Sequence, residues 1–316
     1  MSPCRIRLRR ARGDRAVAEQ PKAASGAGGG GPSTERRLWL TIGISSVILA
    51  AELIGGWLAN SLALLSDAGH VFLDIFAVGL ALYAARFCRL PAQGRSSFGM
   101  HRAEILAALV NAFTLIALSV VIFYEAYRRF LAPPEVRAAE MLLVAGIGLV
   151  ANVAGVWLLH GHRDINVRGA YLHILGDTGS SVAVIVGAGV ILTTGERRVD
   201  PALSVLIGAL ILYGAGRLVR DAVDILLERT PRDIDCGQVE RRLLSTPGVG
   251  TVHDMHIWSL CSNVRAFSAH LVIDGEGQRD RDAITRSVQG MLRDEYDITY
   301  VTVQYEDAHC CQPGEH

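Results

Sequence analysis

The stretch Ser61-Leu-Ala-Leu-Leu-Ser-Asp-Ala-Gly-His-Val-Phe-Leu-Asp74 decides the fold of this chain. It opens an apolar segment that continues to residue 86, and a helix needs only ~20 such residues to cross a bilayer. The ionisable side chains inside that segment include His70 and Asp74. Ionisable groups are costly within a membrane and therefore tend to mark function. The stretch thus predicts a transmembrane helix that carries a functional site.

A second apolar segment, residues 168–194, repeats the pattern with His173 and Asp177 in the same His-x-x-x-Asp spacing. Positions i and i+4 share one face of a helix, so each segment offers one imidazole beside one carboxylate. Two such faces supply two nitrogen and two oxygen ligands, which suit tetrahedral Zn²⁺. Each pair lies roughly nine residues from a segment end, so at ~1.5 Å per residue both fall near the midplane. The alternative is that both are buried polar pairs satisfied within a helix bundle.

Six apolar segments of membrane-spanning length come before a change in character near residue 229. They cover residues 38–60, 62–86, 103–131, 139–160, 168–194 and 201–227. We therefore predict a six-helix transmembrane domain over residues 38–228, with the lipid bilayer as its partner. An even number of crossings leaves both chain ends on one side of the membrane. Polar sites at the midplane between helices are typical of transporters.

The formal net charge of zero conceals three regions of different charge. Residues 1–37 carry nine basic and three acidic side chains, residues 38–228 thirteen and fourteen, and residues 229–316 nine and fourteen. We expect the basic, glycine-rich arm 1–37 to be disordered and cytoplasmic, because short basic flanks are retained inside. The arm has no aromatic residue for base stacking, so we expect no nucleic-acid partner.

Residues 229–316 predict a small α+β domain with a short Cys/His tail. Residues 235–246 and 279–294 have helical patterns, whereas 249–259, 264–273 and 298–305 have strand patterns. This αββαβ order indicates a single sheet covered by helices. Six crossings put both chain ends on one side, and the basic arm indicates that this side is the cytoplasm, so we place this domain in the cytoplasm together with both termini.

Four motifs resemble the cation diffusion facilitator family. The stretches Ser61–Asp74 and Arg168–Asp177 resemble its second and fifth transmembrane helices. Phe98-Gly-Met-His-Arg-Ala-Glu104 is similar to the start of its third helix, and His253-Asp-Met-His-Ile-Trp258 to its first cytoplasmic strand. The motifs follow the family's order between residues 36 and 307. The resemblance implies a homodimer of six-helix protomers, each with a ferredoxin-like cytoplasmic domain.

The same resemblance implies export of divalent metal from the cytoplasm in exchange for protons. The family's transport ligands map onto His70, Asp74, His173 and Asp177. Members with two His and two Asp are typically zinc exporters and often also handle Co²⁺ or Cd²⁺, and imidazole ligands suit Zn²⁺ chemically. We therefore expect Zn²⁺ as the transported substrate, with a carrier that prefers Co²⁺, Cd²⁺ or another divalent metal as the nearest alternative.

The resemblance also implies a metal site in the cytoplasmic domain. His253 and His270 fall on adjacent predicted strands and Glu306 ends the last strand, and corresponding family positions bind one or two Zn²⁺. These residue types can ligate zinc, so we expect a regulatory site there, with ordinary surface polar residues as the alternative. The spacing of Cys310 and Cys311 departs from the family's tail, which leaves their role open.

Glu52 lies in the first apolar segment and has two interpretations. It relays protons or admits the metal, or it is a hydrogen-bonded structural carboxyl.

The chain has no His-Glu-x-x-His or Gly-x-Ser-x-Gly motif, so we expect neither an enzyme nor an organic cofactor. A membrane metal sensor that does not transport is the alternative from a different class. Arginine supplies nearly all the cations, which hints at a GC-rich genome. We expect the protein to lie in a bacterial inner membrane.

Overall fold

The computed structural model describes residues 32–88, 96–159, 165–273 and 280–306. Six long helices come first: α1 (Pro32–Ala59), α2 (Leu62–Cys88), α3 (Arg102–Leu131), α4 (Ala138–Leu159), α5 (Ile165–Thr194) and α6 (Val199–Leu226). The second part contains α7 (Cys236–Leu244), β1 (Val249–Cys261), β2 (Val264–Ile273), α8 (Arg281–Tyr296) and β3 (Ile298–Glu306). This order confirms the predicted fold class.

The helices α2 to α6 each contain an apolar stretch long enough to cross a membrane. In α1 the apolar part of the described helix is shorter, Ser45–Ala59. This helix begins at Pro32, earlier than the predicted residue 38, and proline suits a first helical turn because its missing N–H has no partner there. Large apolar side chains face outward, and Trp57 and Trp157 are 75% and 82% exposed. Such a surface fits a multi-pass protein surrounded by lipid.

The six long helices pack through small residues. α3 packs against α6 and α2, whereas α4 packs against α5 and α1. A Cβ on Gly55 of α1 would lie 2.3 Å from Val144 of α4, and one on Gly187 of α5 would lie 2.0 Å from Leu203 of α6. Glycine therefore permits these close approaches, as small residues commonly do between transmembrane helices. α2 lies where the two sets meet and also contacts α5.

The cytoplasmic part is built on one three-stranded sheet in the order β1-β2-β3. β1 and β2 are antiparallel, with His253 opposite His270, and β2 and β3 are parallel, with Val272 opposite Glu306. The core between the sheet and the two short helices contains Val239, Leu243, Phe267, Val288 and Leu292. The sheet register thus brings three of the predicted site residues to neighbouring strands.

An aspartate immediately precedes each short helix, and an ion pair links the two helices. The carboxylate of Asp235 accepts hydrogen bonds from the amides of Gly237 and Gln238 in α7, and that of Asp280 accepts one from the amide of Ala283 in α8, as N-cap residues do. Arg242 of α7 binds Glu295 of α8, with Nη2 2.6 Å from Oε1. Hydrogen bonding to Arg242 holds the pKa of the Glu295 carboxyl below its ordinary value.

The end of β1 contacts the start of α3. Ser262 donates a hydrogen bond to Glu104 at 2.6 Å, and Cys261 Sγ lies 4.0 Å from His101 Nδ1. Arg102 at the start of α3 pairs with Glu228 just beyond α6. A cavity of about 550 Å³ lies beside these contacts, and it is lined by Ser96–Ala103, Leu106, Glu228, Trp258 and Leu260. The cytoplasmic part therefore meets the helix bundle mainly through one strand.

Candidate metal centres

His70 and Asp74 lie on one face of α2. His70 Nε2 is 3.4 Å from Asp74 Oδ2, and both side chains are half-buried. The helix between them is regular, so the i, i+4 spacing sets this contact. The pair offers an imidazole and a carboxylate at adjacent positions within a membrane-spanning segment.

Asp177 lies on the neighbouring helix α5 and is 9% exposed. His173 is one turn earlier on α5, but its side chain lies outside the described part of the structure. Among the described side chains, Asp177 does not join His70 and Asp74 in a group whose ligand atoms lie within 4.8 Å of one another. The structure therefore brings the first pair together on α2 and places Asp177 on a helix in contact with it.

Asp67 belongs to this region, although the His-x-x-x-Asp pattern does not include it. Its side chain is 2% exposed, and it precedes His70 by three residues, so both lie on one side of α2. Ser180 of α5 donates to Asp67 Oδ1 and Oδ2 at 2.8 and 3.0 Å, and also contacts the carbonyl oxygen of Asp177 at 2.9 Å. Asp67 therefore ties α2 to α5 beside the predicted transport residues.

Glu52 of α1 joins the same buried polar region. Its side chain is 2% exposed. A Cβ on Gly148 of α4 would lie 3.3 Å from Glu52 Oε1 and 3.7 Å from the Ser181 hydroxyl, and Asn152 donates to that hydroxyl at 3.3 Å. Gly148 thus leaves room for a carboxyl among four helices.

The cytoplasmic cluster consists of His253, His270 and Glu306. His253 Nε2 is 3.0 Å from Glu306 Oε2, and His270 Nδ1 is 3.1 Å from Glu306 Oε1. The two imidazole rings are 5.1 Å apart and nearly perpendicular. Each residue offers one ligand atom, and these atoms all lie within 4.8 Å of one another. Two nitrogens and a carboxylate at this spacing match a zinc ligand set.

Asp254 supports this cluster from the other side of His270. Its Oδ2 is 3.6 Å from His270 Nε2, and its Oδ1 is 2.9 Å from Nε2 of the exposed His256. Strand alternation predicts that Asp254 points away from His253, but the β1–β2 register shifts between His253 and His256. Asp254 adopts a left-handed φ of 50° there. A β-bulge of this kind redirects side chains, which explains why the sequence pattern missed Asp254.

Two protein-family models match the chain. One, described as the cation efflux transmembrane domain, matches residues 38–227. The other, described as the cytoplasmic domain of cation efflux proteins, matches residues 231–308. Together they cover the helix bundle and the sheet domain described above.

Several characterised proteins are similar over most of their length. The metal cation efflux system protein CzcD of Cupriavidus metallidurans is 40% identical, covering 88% of this chain and 88% of its own. The zinc transporter ZitB of Escherichia coli is 38% identical over 89% and 90%. A cadmium, cobalt and zinc/H⁺-K⁺ antiporter of Bacillus velezensis is 37% identical over 88% and 90%. A solved metal-bound C-terminal domain of CzcD is 38% identical, covering 23% of this chain and 99% of its own, with a TM-score of 0.22.

Proposed function

Because the chain belongs to the cation efflux family, whose members are metal transporters and not enzymes, we propose that it exports Zn²⁺ from the cytoplasm in exchange for protons. It is an integral membrane protein with several spans. We propose a basic cytoplasmic arm over residues 1–37, a transport domain over 38–228 and a cytoplasmic domain over 229–316. Residues 1–31 and 307–316 lie outside the described structure, and the second of these ranges includes Cys310 and Cys311.

The contact between His70 and Asp74 on α2 is the observation that carries this proposal. A half-buried imidazole and carboxylate inside a membrane-spanning helix are a costly pair that functional use explains. We propose that His173 and Asp177 of α5 complete the transport site. Two imidazoles and two carboxylates favour Zn²⁺ over harder ions, and ZitB is a zinc transporter by name. The names of the other relatives keep Co²⁺ and Cd²⁺ as alternative substrates.

Proton exchange follows from the chemistry of the same ligands. An imidazole must be neutral to bind metal, so metal and protons compete for the site. Coupling requires this exclusivity, because a site that held both at once would not exchange one for the other. We propose that Glu52 and Asp67 pass protons to or from the site, since both carboxyls are buried and burial favours the protonated form of a carboxyl. The antiporter name of the Bacillus relative supports this mechanism.

The cytoplasmic cluster has a regulatory role in this proposal. Zn²⁺ held by His253, His270 and Glu306 would stabilise the cytoplasmic domain and, through it, a homodimer. Binding to the folded state alone adds about 2.7 kcal/mol of stability at a free metal concentration of a hundred times Kd. We place this domain in the cytoplasm of a bacterium, with the transport domain in the inner membrane.

A flux assay tests the transport function. The full chain is reconstituted in liposomes that contain a zinc-sensitive dye, and Zn²⁺ uptake is followed with and without an imposed pH gradient. We expect saturable flux that the gradient drives, and loss of flux in Asp177→Ala without loss of insertion. Asp221→Ala is the control, because Asp221 pairs with Arg232 near the cytoplasmic end of α6. Flux that is unchanged when the gradient is collapsed would overturn proton exchange.

The same vesicles distinguish the competing functions. A metal sensor would bind Zn²⁺ without flux, and a channel would conduct without saturation. Inhibition of Zn²⁺ flux by added Co²⁺, Cd²⁺ or Mn²⁺ ranks these ions by their affinity for the transport site. For the regulatory site, Glu306→Gln should lower the zinc stoichiometry of the purified full chain by one site per protomer. An unchanged stoichiometry would refute that assignment.

A further inference from the structure

Asp200, in the first turn of α6, binds the first turn of α2. Its side chain is fully buried. Ser61 Oγ donates to Oδ1 at 2.5 Å, the amide of Leu62 donates to Oδ2 at 2.7 Å, and the amide of Ala63 donates to Oδ1 at 3.2 Å. The first amides of a helix have no partner within that helix. Here a carboxylate from a different helix supplies the partners for α2.

Arg129 of α3 completes this arrangement. Its Nη1 donates to the carbonyl oxygen of Asn60 at 2.8 Å and lies 3.8 Å from Asp200 Oδ2. The buried carboxylate is therefore balanced by a guanidinium and by the partial positive charge at the start of α2. Asn60, with a left-handed φ of 52°, joins α1 to α2 and donates to the carbonyl oxygen of Glu135 at 3.1 Å. Two other helices, α6 and α3, and the loop that follows α3 thus hold the start of α2.

The position of that start determines where His70 points. His70 follows Leu62 by eight residues, which corresponds to ~12 Å along the helix. With 3.6 residues per turn, a slip of one residue at the cap would rotate His70 and Asp74 by ~100° about the helix axis. A fixed cap therefore keeps both side chains directed towards one neighbour.

We propose that Asp200 is a positioning residue for metal transport, because it fixes the axial position and rotation of α2 and so the direction of His70 and Asp74. This inference rests on the proposed function, in which these two residues bind the transported ion. It assigns Asp200 no contact with the metal. Its effect on transport passes through the hydrogen bonds to Ser61, Leu62 and Ala63.

The test compares Asp200→Asn with Ser61→Ala in the full chain in liposomes. The amide of Asn has the size of the carboxylate but brings an NH₂ group towards helix amides that need acceptors. Since losing a helix cap costs about 1 kcal/mol and tenfold corresponds to 1.4 kcal/mol, we expect the apparent KM for Zn²⁺ to rise about fivefold or more. Ser61→Ala removes one donor to Asp200 and the acceptor of the Leu64 amide, but it keeps the bonds from the amides of Leu62 and Ala63 and should give a smaller rise. Hydrogen exchange at Leu62 and Ala63 should accelerate in Asp200→Asn.

Asp235→Asn is the matched control, because Asp235 also caps a helix, α7, but lies in the cytoplasmic domain. Its KM should equal that of the unaltered chain. An unchanged KM in Asp200→Asn despite faster exchange, or a fall in maximal rate alone, would overturn the positioning role. If Asp200→Asn does not fold, an unchanged KM in Ser61→Ala overturns it instead. Failure of the proposed function gives a different result: if His70 does not bind the transported ion, His70→Ala transports Zn²⁺ at the rate of the unaltered chain.

Discussion

Ser180 of α5 donates its hydroxyl hydrogen bond to Asp67 of α2, at 2.8 and 3.0 Å from the two carboxylate oxygens. The same hydroxyl contacts the carbonyl oxygen of Asp177 on its own helix. One side chain therefore connects the two helices that carry the four predicted transport residues. The connection lies within one turn of Asp177, so a substitution at Ser180 should alter the geometry of the transport site.

We expect Ser180→Ala to lower the rate of Zn²⁺ transport, because Asp67 loses a buried hydrogen-bond donor that links α2 to α5. Leaving such a group unsatisfied costs about 1–3 kcal/mol. Initial rates in liposomes measure the effect. Ser119→Ala is the control, since the buried Ser119 hydroxyl donates to Leu115 of its own helix. Equal rates in the two variants would show that the link is not needed.

Gly148→Ala should impair transport by displacing Glu52. The added methyl carbon would lie 3.3 Å from Glu52 Oε1, which is tight enough to shift the carboxyl within a packed core. Gly146→Ala is a close control, because Gly146 is on the same helix and a Cβ there would meet open space. We expect a lower rate in the first variant only. If both variants transport normally, the location of the Glu52 carboxyl does not matter for transport.

Asp254→Asn should weaken zinc binding at the cytoplasmic cluster. The carboxylate lies 3.6 Å from His270 Nε2, and outer partners of this kind typically contribute 10–100-fold to metal affinity. Asparagine also tolerates the left-handed backbone, so the substitution isolates the charge. Calorimetry on the full chain in a His70→Ala background measures the affinity. His256→Ala, which removes the second partner of Asp254, should leave it unchanged.

The Arg242–Glu295 ion pair predicts a pH dependence of stability. The folded state lowers the pKa of Glu295, so the stabilisation is present above the ordinary pKa of a glutamate. It disappears as the pH falls through the lower pKa of the folded pair. Arg242→Gln should therefore lower the urea midpoint of the cytoplasmic domain at neutral pH and have little effect in acid.

Fluorescence of Trp258 can follow that unfolding if the other three tryptophans of the chain are replaced by phenylalanine. Raising the salt concentration should also reduce the difference between Arg242→Gln and its parent, since both partners are exposed and screened. A difference that persists in acid would mean that Arg242 stabilises the domain through packing instead of charge.

The helices and strands were predictable from the sequence because hydrophobic patterns are local. The strand predicted over 264–273 matches β2 at both ends, and the six apolar segments match α1 to α6 within a few residues, apart from the start of α1. The contact of His70 with Asp74 was predictable for the same reason, since it depends only on helical spacing. Antiparallel pairing of β1 and β2 was predictable too, but His253 lies opposite His270 instead of Val272 only because the register shifts between Ser259 and Cys261 and again between His253 and His256.

Asp67, Asp200 and Asp254 were not predictable as parts of these sites. Asp67 meets Ser180 only because α2 and α5 pack together, and Asp200 meets Ser61 across 139 residues of sequence. Asp200 also falls just before the predicted sixth segment, where an acidic residue looks like a loop or a helix start. Asp254 depends on a bulge that strand alternation does not reveal. Each case involves tertiary geometry that a periodic pattern does not encode.

Strand β1 has a mechanical consequence for the whole protein. It carries His253 near its beginning and Cys261, which contacts His101, at its end. Eight residues separate them, which is ~26 Å of extended chain at ~3.3 Å per residue. An extended, hydrogen-bonded strand is stiff along its axis and bends mainly at its irregularities, of which two, His253–His256 and Ser259–Cys261, lie between these residues. β1 thus connects the His253–His270–Glu306 cluster to the start of α3 through a stiff strand that can bend at these two irregularities.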